Sequence, residues 1–105
     1  IDHFKEHMED ENAHGNRISA RIYTLGGIPT IDMKPVYEFT EDVDEALKQD
    51  IILEQEAIDL YSKILDYCDE VNDKATSMMI EDILSDEVSH IDEFAKLRRS
   101  TVVRQ

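Results

Sequence analysis

The sequence predicts an all-α protein built from three long helices that pack as a bundle. Three segments place apolar side chains at alternating steps of three and four residues, which is the spacing of one helix face. Gly26 and Gly27 mark the end of the first segment, and the short polar run from Asp69 to Asp73 separates the second from the third. A chain of 105 residues is the size of one domain, so we expect residues 1–105 to form a single domain.

The first helix is predicted from Asp2 to about Leu25. Gly15 and Asn16 lower its intrinsic helix propensity, so packing or metal ligation must hold it. Its inward face is interrupted by polar residues, and His3 lies on the same side. The predicted inward stripe is Phe4, His7, Glu11, His14, Ile18, Ile22 and Leu25.

Residues 26–39 contain both prolines and show no sustained helical period. We therefore expect a long crossover connection, which in a helical bundle brings the next helix in parallel to the first. Thr40 is the predicted N-cap of the second helix, because a threonine hydroxyl accepts hydrogen bonds from the first free amides. Glu41 and Asp42 suit the positive end of the helix dipole.

The second helix is predicted to run to about Cys68, and the third to run antiparallel to it from about Lys74 to Arg98. Each has an apolar stripe with polar residues at its centre. The stripe of the second helix is Val43, Leu47, Ile51, Glu54, Ile58, Tyr61, Leu65 and Cys68. The stripe of the third is Ile80, Ile83, Glu87, His90, Phe94 and Leu97.

The amino-acid composition limits the classes of molecule that the chain is expected to bind. Eleven basic against 25 acidic residues give a formal charge of −14, so we expect neither nucleic acid nor a membrane as partner, and expect cations instead. A solvated acidic surface is the alternative explanation of this charge. The sequence shows no transmembrane run and no signal-peptide pattern. A single cysteine, Cys68, excludes an internal disulfide and favours a cytoplasmic location.

The polar residues on the three stripes have the pattern of metal ligands. Each helix carries a central carboxylate, and two of the three carboxylates are followed by a histidine three residues on, which projects from the same side. A buried carboxylate is costly unless its charge is compensated, and a bound cation compensates it most strongly. Two Glu-x-x-His pairs and a further glutamate are the ligand set of a carboxylate-bridged di-metal site in a helical bundle. Such mixed ligation suits iron, with manganese possible. The candidate ligands are Glu11, His14, Glu54, Glu87 and His90.

Other residues have competing interpretations. A single Glu-x-x-His arises easily by chance in an acidic helix, so the prediction depends on the combination. Glu54 is preferred to Glu56 because it lies on the apolar stripe. For His3 and His7 we expect exposure at a frayed terminus, with secondary metal contacts as the alternative. Cys68 is expected to pack as a small apolar residue.

Three segments resemble, in order, the second, third and fourth helices of bacterioferritins and related Dps-like members of the ferritin-like superfamily. They are ENAHGNRISARIYTLGGIPT, EDVDEALKQDIILEQEAIDLY and MMIEDILSDEVSHIDEF. The resemblance implies a ferritin-like bundle in which Glu11 and Glu87 bridge two irons. It makes His14 a terminal ligand of one iron, and Glu54 and His90 terminal ligands of the other.

The sequence departs from this family in two places. The family's opening helix, which supplies a further glutamate to the iron held by His14, does not precede Ile1. We therefore expect the domain to be incomplete at its N-terminus. Haem-binding bacterioferritins have a methionine directly after the second-helix glutamate, and this chain has Asn12 there. Haem is therefore not expected as a cofactor.

The resemblance also implies a function. It is that of a ferroxidase-type iron-storage protein that oxidises Fe(II) with dioxygen or hydrogen peroxide and assembles as a homo-oligomer or cage. A rubrerythrin-like peroxidase is one alternative, although one cysteine cannot build that family's four-cysteine iron site. The other alternative is a ferritin-like helical scaffold without catalytic turnover. Metal content would separate the scaffold from both enzymes.

Overall fold

A computed structural model describes residues 2–30 and 40–103, with side chains described for residues 5–30 and 40–100. Within these ranges it contains three helices and no strand: α1 (Asp2–Thr24), α2 (Val43–Val71) and α3 (Lys74–Val103). The predicted all-α fold is confirmed. None of the described helices has an apolar stretch long enough to cross a membrane. Most of the predicted crossover, residues 31–39, lies outside the described residues.

The chain divides into two compact units, Ile1–Lys34 and Pro35–Gln105, and each is described by itself. In the first unit, α1 ends where the glycines predict. Gly26 has a φ of +91°, in the left-handed region that glycine enters without a side-chain clash. Its N–H donates to the carbonyl of Tyr23 at 3.0 Å, and the N–H of Gly27 donates to the carbonyl of Ile22 at 2.9 Å. These two bonds are those of a Schellman C-cap, which satisfies the last carbonyls of the helix.

In the second unit, α2 begins two residues later than an N-cap at Thr40 requires. Asp42 is the N-cap, and its Oδ1 accepts hydrogen bonds from the amides of Asp44 at 3.0 Å and Glu45 at 3.4 Å. The predicted cap at Thr40 is therefore wrong. The hydroxyl of Thr40 instead accepts a hydrogen bond from the amide of Asp42 at 3.1 Å. An ionised carboxylate is the stronger acceptor at the positive end of a helix.

A turn of two residues joins α2 to α3. Asn72 adopts a left-handed conformation with φ 60°, and the N–H of Asp73 donates to the carbonyl of Cys68 at 2.9 Å. Asparagine tolerates this conformation better than most side chains. Asp73 then caps α3, since its Oδ1 accepts from the amide of Thr76 at 3.1 Å. The predicted polar turn ran from Asp69 to Asp73. In the structure α2 continues to Val71, so only Asn72 and Asp73 form the turn.

Helices α2 and α3 pack along each other in opposite directions, as predicted. Near the start of α2, Asp44 Oδ1 accepts a hydrogen bond from Nε of Arg98, near the end of α3, at 2.8 Å. The buried apolar side chains come from the predicted stripes of both helices, so the antiparallel hairpin has its core where the sequence placed it. This core consists of Leu47, Cys68, Ile80, Ile83 and Phe94.

Candidate metal centre

Three ionisable side chains lie in the core of the α2–α3 hairpin. Glu87 is 0% exposed, Glu54 is 5% exposed and His90 is 6% exposed. Their neighbours of the same charge, such as Glu56 on α2 and Glu81 on α3, are exposed. The predicted choice of Glu54 over Glu56 as the inward carboxylate is therefore confirmed.

The buried carboxylate of α2 faces the buried imidazole of α3. Glu54 Oε2 lies 3.7 Å from His90 Nδ1. This separation is longer than a hydrogen bond of about 2.7–3.2 Å. It is within reach of two ligands on one metal ion, whose bonds are each about 2.1 Å long. The pair therefore has the spacing of two ligands on one metal.

Apolar side chains enclose these polar groups along α3. Ile83 and Phe94, both buried, lie one turn before Glu87 and one turn after His90. The ring of Phe94 contacts that of His90 at a tilt of 39°, with the ring centroids 6.4 Å apart. This packing restricts the imidazole and keeps water from its surroundings, which raises the cost of a buried charge that has no cation.

The first unit carries a second carboxylate–imidazole arrangement. On α1, Glu11 Oε1 lies 3.8 Å from Nδ1 of His14 and 3.5 Å from Nε2 of His7. His14 is buried, and the Glu11 side chain is 40% exposed. The three donors lie on one face, because they are spaced by four and three residues. Glu11 and His14 therefore lie side by side, and their role as metal ligands stays a prediction.

His7 is less exposed than the sequence led us to expect. Its side chain is only 13% exposed, so the prediction of an exposed residue at a frayed terminus is wrong for His7. The physical reason is its place one turn before Glu11 on the same face of α1. The side chain of His3 lies outside the described residues.

Asp50 is a buried carboxylate that sequence reasoning missed. It lies on α2 three residues after Leu47 and four before Glu54, both of which are buried. That spacing was visible in the sequence, but the predicted stripe passed through Ile51, which is only half-buried. Asp50 adds a second negative group to the inward face of α2. Cys68 is buried, as expected of a small apolar residue.

The donor set suits a hard or intermediate transition metal. All the candidate donors are carboxylate oxygens and imidazole nitrogens, which favour iron or manganese over thiolate-preferring metals. Buried carboxylates on apolar helix faces also call for a compensating cation. The residues therefore fit a metal, and they define a class: an all-α protein with a candidate carboxylate–histidine metal centre.

Comparison with known proteins identifies the family. A family model of the ferritin-like domain matches residues 2–101, and the chain belongs to this family. It is 33% identical over 88 residues to a bacterioferritin of Rhodobacter capsulatus, covering 84% of this chain and 55% of that protein. It is 29% identical over 91 residues to a bacterioferritin of Mycobacterium avium, covering 87% and 57%. The chain thus spans about half the length of the curated relatives it matches.

Proposed function

We propose that this chain forms part of a di-iron centre that binds Fe(II) and oxidises it for storage as Fe(III). The observation that carries the proposal is the burial of Glu54, Glu87 and His90 among the apolar side chains of the α2–α3 hairpin. Membership of the ferritin-like family supports iron as the metal. So does the similarity to proteins named bacterioferritin.

The proposed ligand roles follow the resemblance and the spacing of the residues. Glu11 and Glu87 are the bridging carboxylates. His14 is a terminal ligand of one iron, and Glu54 and His90 are terminal ligands of the other. Manganese is the alternative occupant of the same donor set.

The reaction balances with either oxidant. Two Fe(II) ions give up one electron each. Together with two protons, these two electrons convert dioxygen to hydrogen peroxide. With hydrogen peroxide as the oxidant, they convert it to two waters. The carboxylates offset the positive charge that the irons gain, and the packing of His90 against Phe94 holds one imidazole in place. The formal charge of −14 attracts Fe(II) to the protein.

Anaerobic titration with Fe(II), followed by addition of oxygen, tests the proposal. We expect uptake of about two irons per site, as in other two-metal centres. Glu87→Ala should lose this uptake, whereas the control Glu56→Ala, which changes an exposed glutamate of α2, should keep it. Equal uptake by both variants would contradict the assignment. Absence of any spectral change in the unaltered protein would favour a non-catalytic helical scaffold.

We also propose that the chain assembles with copies of itself into a homo-oligomer or cage. Large apolar side chains remain exposed on the outer faces of α2 and α3, among them Leu60, Tyr67 and Met78. Exposed apolar surface of this kind favours association. Light scattering of the purified protein measures the assembly directly, and a strictly monomeric mass would contradict it.

A further inference from the structure

On α1, the carboxylate of Glu11 lies between two imidazoles. Its Oε1 is 3.5 Å from Nε2 of His7, one turn earlier, and 3.8 Å from Nδ1 of His14, one turn later. The side chains of His7 and His14 are only 13% and 4% exposed. By contrast, the residues next to His7, Glu6 and Met8, are exposed. His7 therefore lies on the same face of α1 as the two candidate ligands, Glu11 and His14, and is nearly as buried as His14.

The two separations on α1 match the one on the α2–α3 hairpin. There, Glu54 Oε2 lies 3.7 Å from Nδ1 of His90. All three distances exceed that of a direct hydrogen bond, about 2.7–3.2 Å between nitrogen and oxygen. All three are also within reach of two ligands on a shared metal, with bonds of about 2.1 Å. The His7–Glu11 pair thus has the same spacing as the pairs already assigned to metal.

An ordinary ion pair explains the position of His7 less well. Pairs at i and i+4 on an exposed helix surface contribute only about 0.2–0.5 kcal/mol. The same oxygen of Glu11 also faces His14, so one carboxylate would serve two imidazoles at non-bonding distance. A cation on each side of Glu11 accounts for both separations.

We propose that His7 is a further metal ligand, donating Nε2 to the iron on the opposite side of Glu11 from His14. This inference rests on the proposed function, in which Glu11 bridges two irons and His14 binds one of them. The ligand set implied by the family resemblance has no donor at this position. His7 gives that iron a nitrogen ligand from the same face of α1 that carries Glu11.

Anaerobic titration of the full chain with Co(II), a probe that does not turn over, tests the role of His7. Calorimetry measures the affinity of each ion, and X-ray absorption counts the bound imidazoles. We expect His7→Ala to weaken one of the two cobalt ions by at least tenfold, since even outer ligands of metal sites contribute about 10–100-fold. The unaltered protein should show about three imidazole ligands per pair of ions, one each from His7, His14 and His90. His7→Ala should show about two.

Two further variants separate ligation from packing. Glu6→Ala changes the exposed neighbour of His7 on α1 and should leave both cobalt affinities unchanged. His7→Phe keeps a ring of similar size without a nitrogen donor, so it should behave like His7→Ala. If His7→Phe binds both ions as the unaltered protein does, His7 only packs and the inference is wrong. If His7→Ala keeps both affinities and the imidazole count, His7 is no ligand, while the proposed function stands. Failure of the unaltered protein to bind a pair of ions overturns both.

Discussion

Replacing Glu87 by glutamine should stabilise the metal-free protein and, relative to the unaltered protein, destabilise the metal-bound one. The Glu87 side chain is 0% exposed, so water does not screen its charge. Glutamine has nearly the same shape and no charge. Taking an ionised carboxylate out of water costs several kcal/mol unless a cation compensates its charge, and a neutral amide of the same shape avoids most of this cost. We expect Glu87→Gln to raise the free energy of unfolding of the metal-free protein by about 1–3 kcal/mol.

Bound metal should reverse the order of stability of the Glu87→Gln variant and the unaltered protein. A ligand that binds only the folded state stabilises it by about 2.7 kcal/mol when its concentration is a hundred times its dissociation constant. A neutral amide is a much weaker ligand than a carboxylate for iron or cobalt. The glutamine variant should therefore lose most of the metal-dependent stabilisation, and the unaltered protein should become the more stable of the two.

The measurement is urea unfolding followed by far-ultraviolet circular dichroism, with a chelator and then with excess Co(II). Glu81→Gln makes the same change at an exposed position of α3 and should stay within about 0.5 kcal/mol of the unaltered protein in both conditions. The reasoning is refuted if Glu87→Gln is less stable in both conditions by the same amount. That result would mean that structural hydrogen bonds, and no metal, account for the buried carboxylate.

Three predictions concern the helices that position the site, and all three use thermal or urea unfolding of the metal-free protein. Phe94→Ala should lower the free energy of unfolding by about 3–5 kcal/mol, because it empties a buried position beside His90. Val88→Ala, at an exposed position of the same helix, should change it by less than about 0.5 kcal/mol. Gly26→Ala should destabilise by about 1–2 kcal/mol, because a Cβ is unfavourable at a φ of +91°. Gly15→Ala should stabilise by about 0.5–1 kcal/mol, because Gly15 lies inside α1 with open space around it. A loss of stability in Gly15→Ala, or none in Gly26→Ala, would contradict this account.

The secondary structure was predictable because its signals are local. Gly26 ends α1 where its position in the sequence indicates, because the left-handed turn needs a residue without a Cβ. The stripe from Ile80 to Phe94 is buried along its length, because one helix face repeats every three or four residues. Glu87 and His90 could be identified as core positions on the same argument.

Details that depend on competition between neighbouring groups were harder to predict. Thr40 and Asp42 are both good capping residues, and the choice between them depends on where the chain turns into α2. Asp50 and Ile51 both lie near the predicted stripe, and only the packed hairpin shows that the carboxylate is the more buried of the two. Propensity and spacing alone do not decide such cases.

The sequence by itself determined the three helices, the buried stripe of α3 and the residue types that suit a metal, because helical period and ligand chemistry are properties of short segments. The tertiary structure decided how these residues face one another. It placed Glu54 and His90, on different helices, 3.7 Å apart, a distance set by the packing of α2 against α3. It also showed that His7 is sheltered beside Glu11. Burial and distances between helices depend on the whole packed core, and no single helix encodes them.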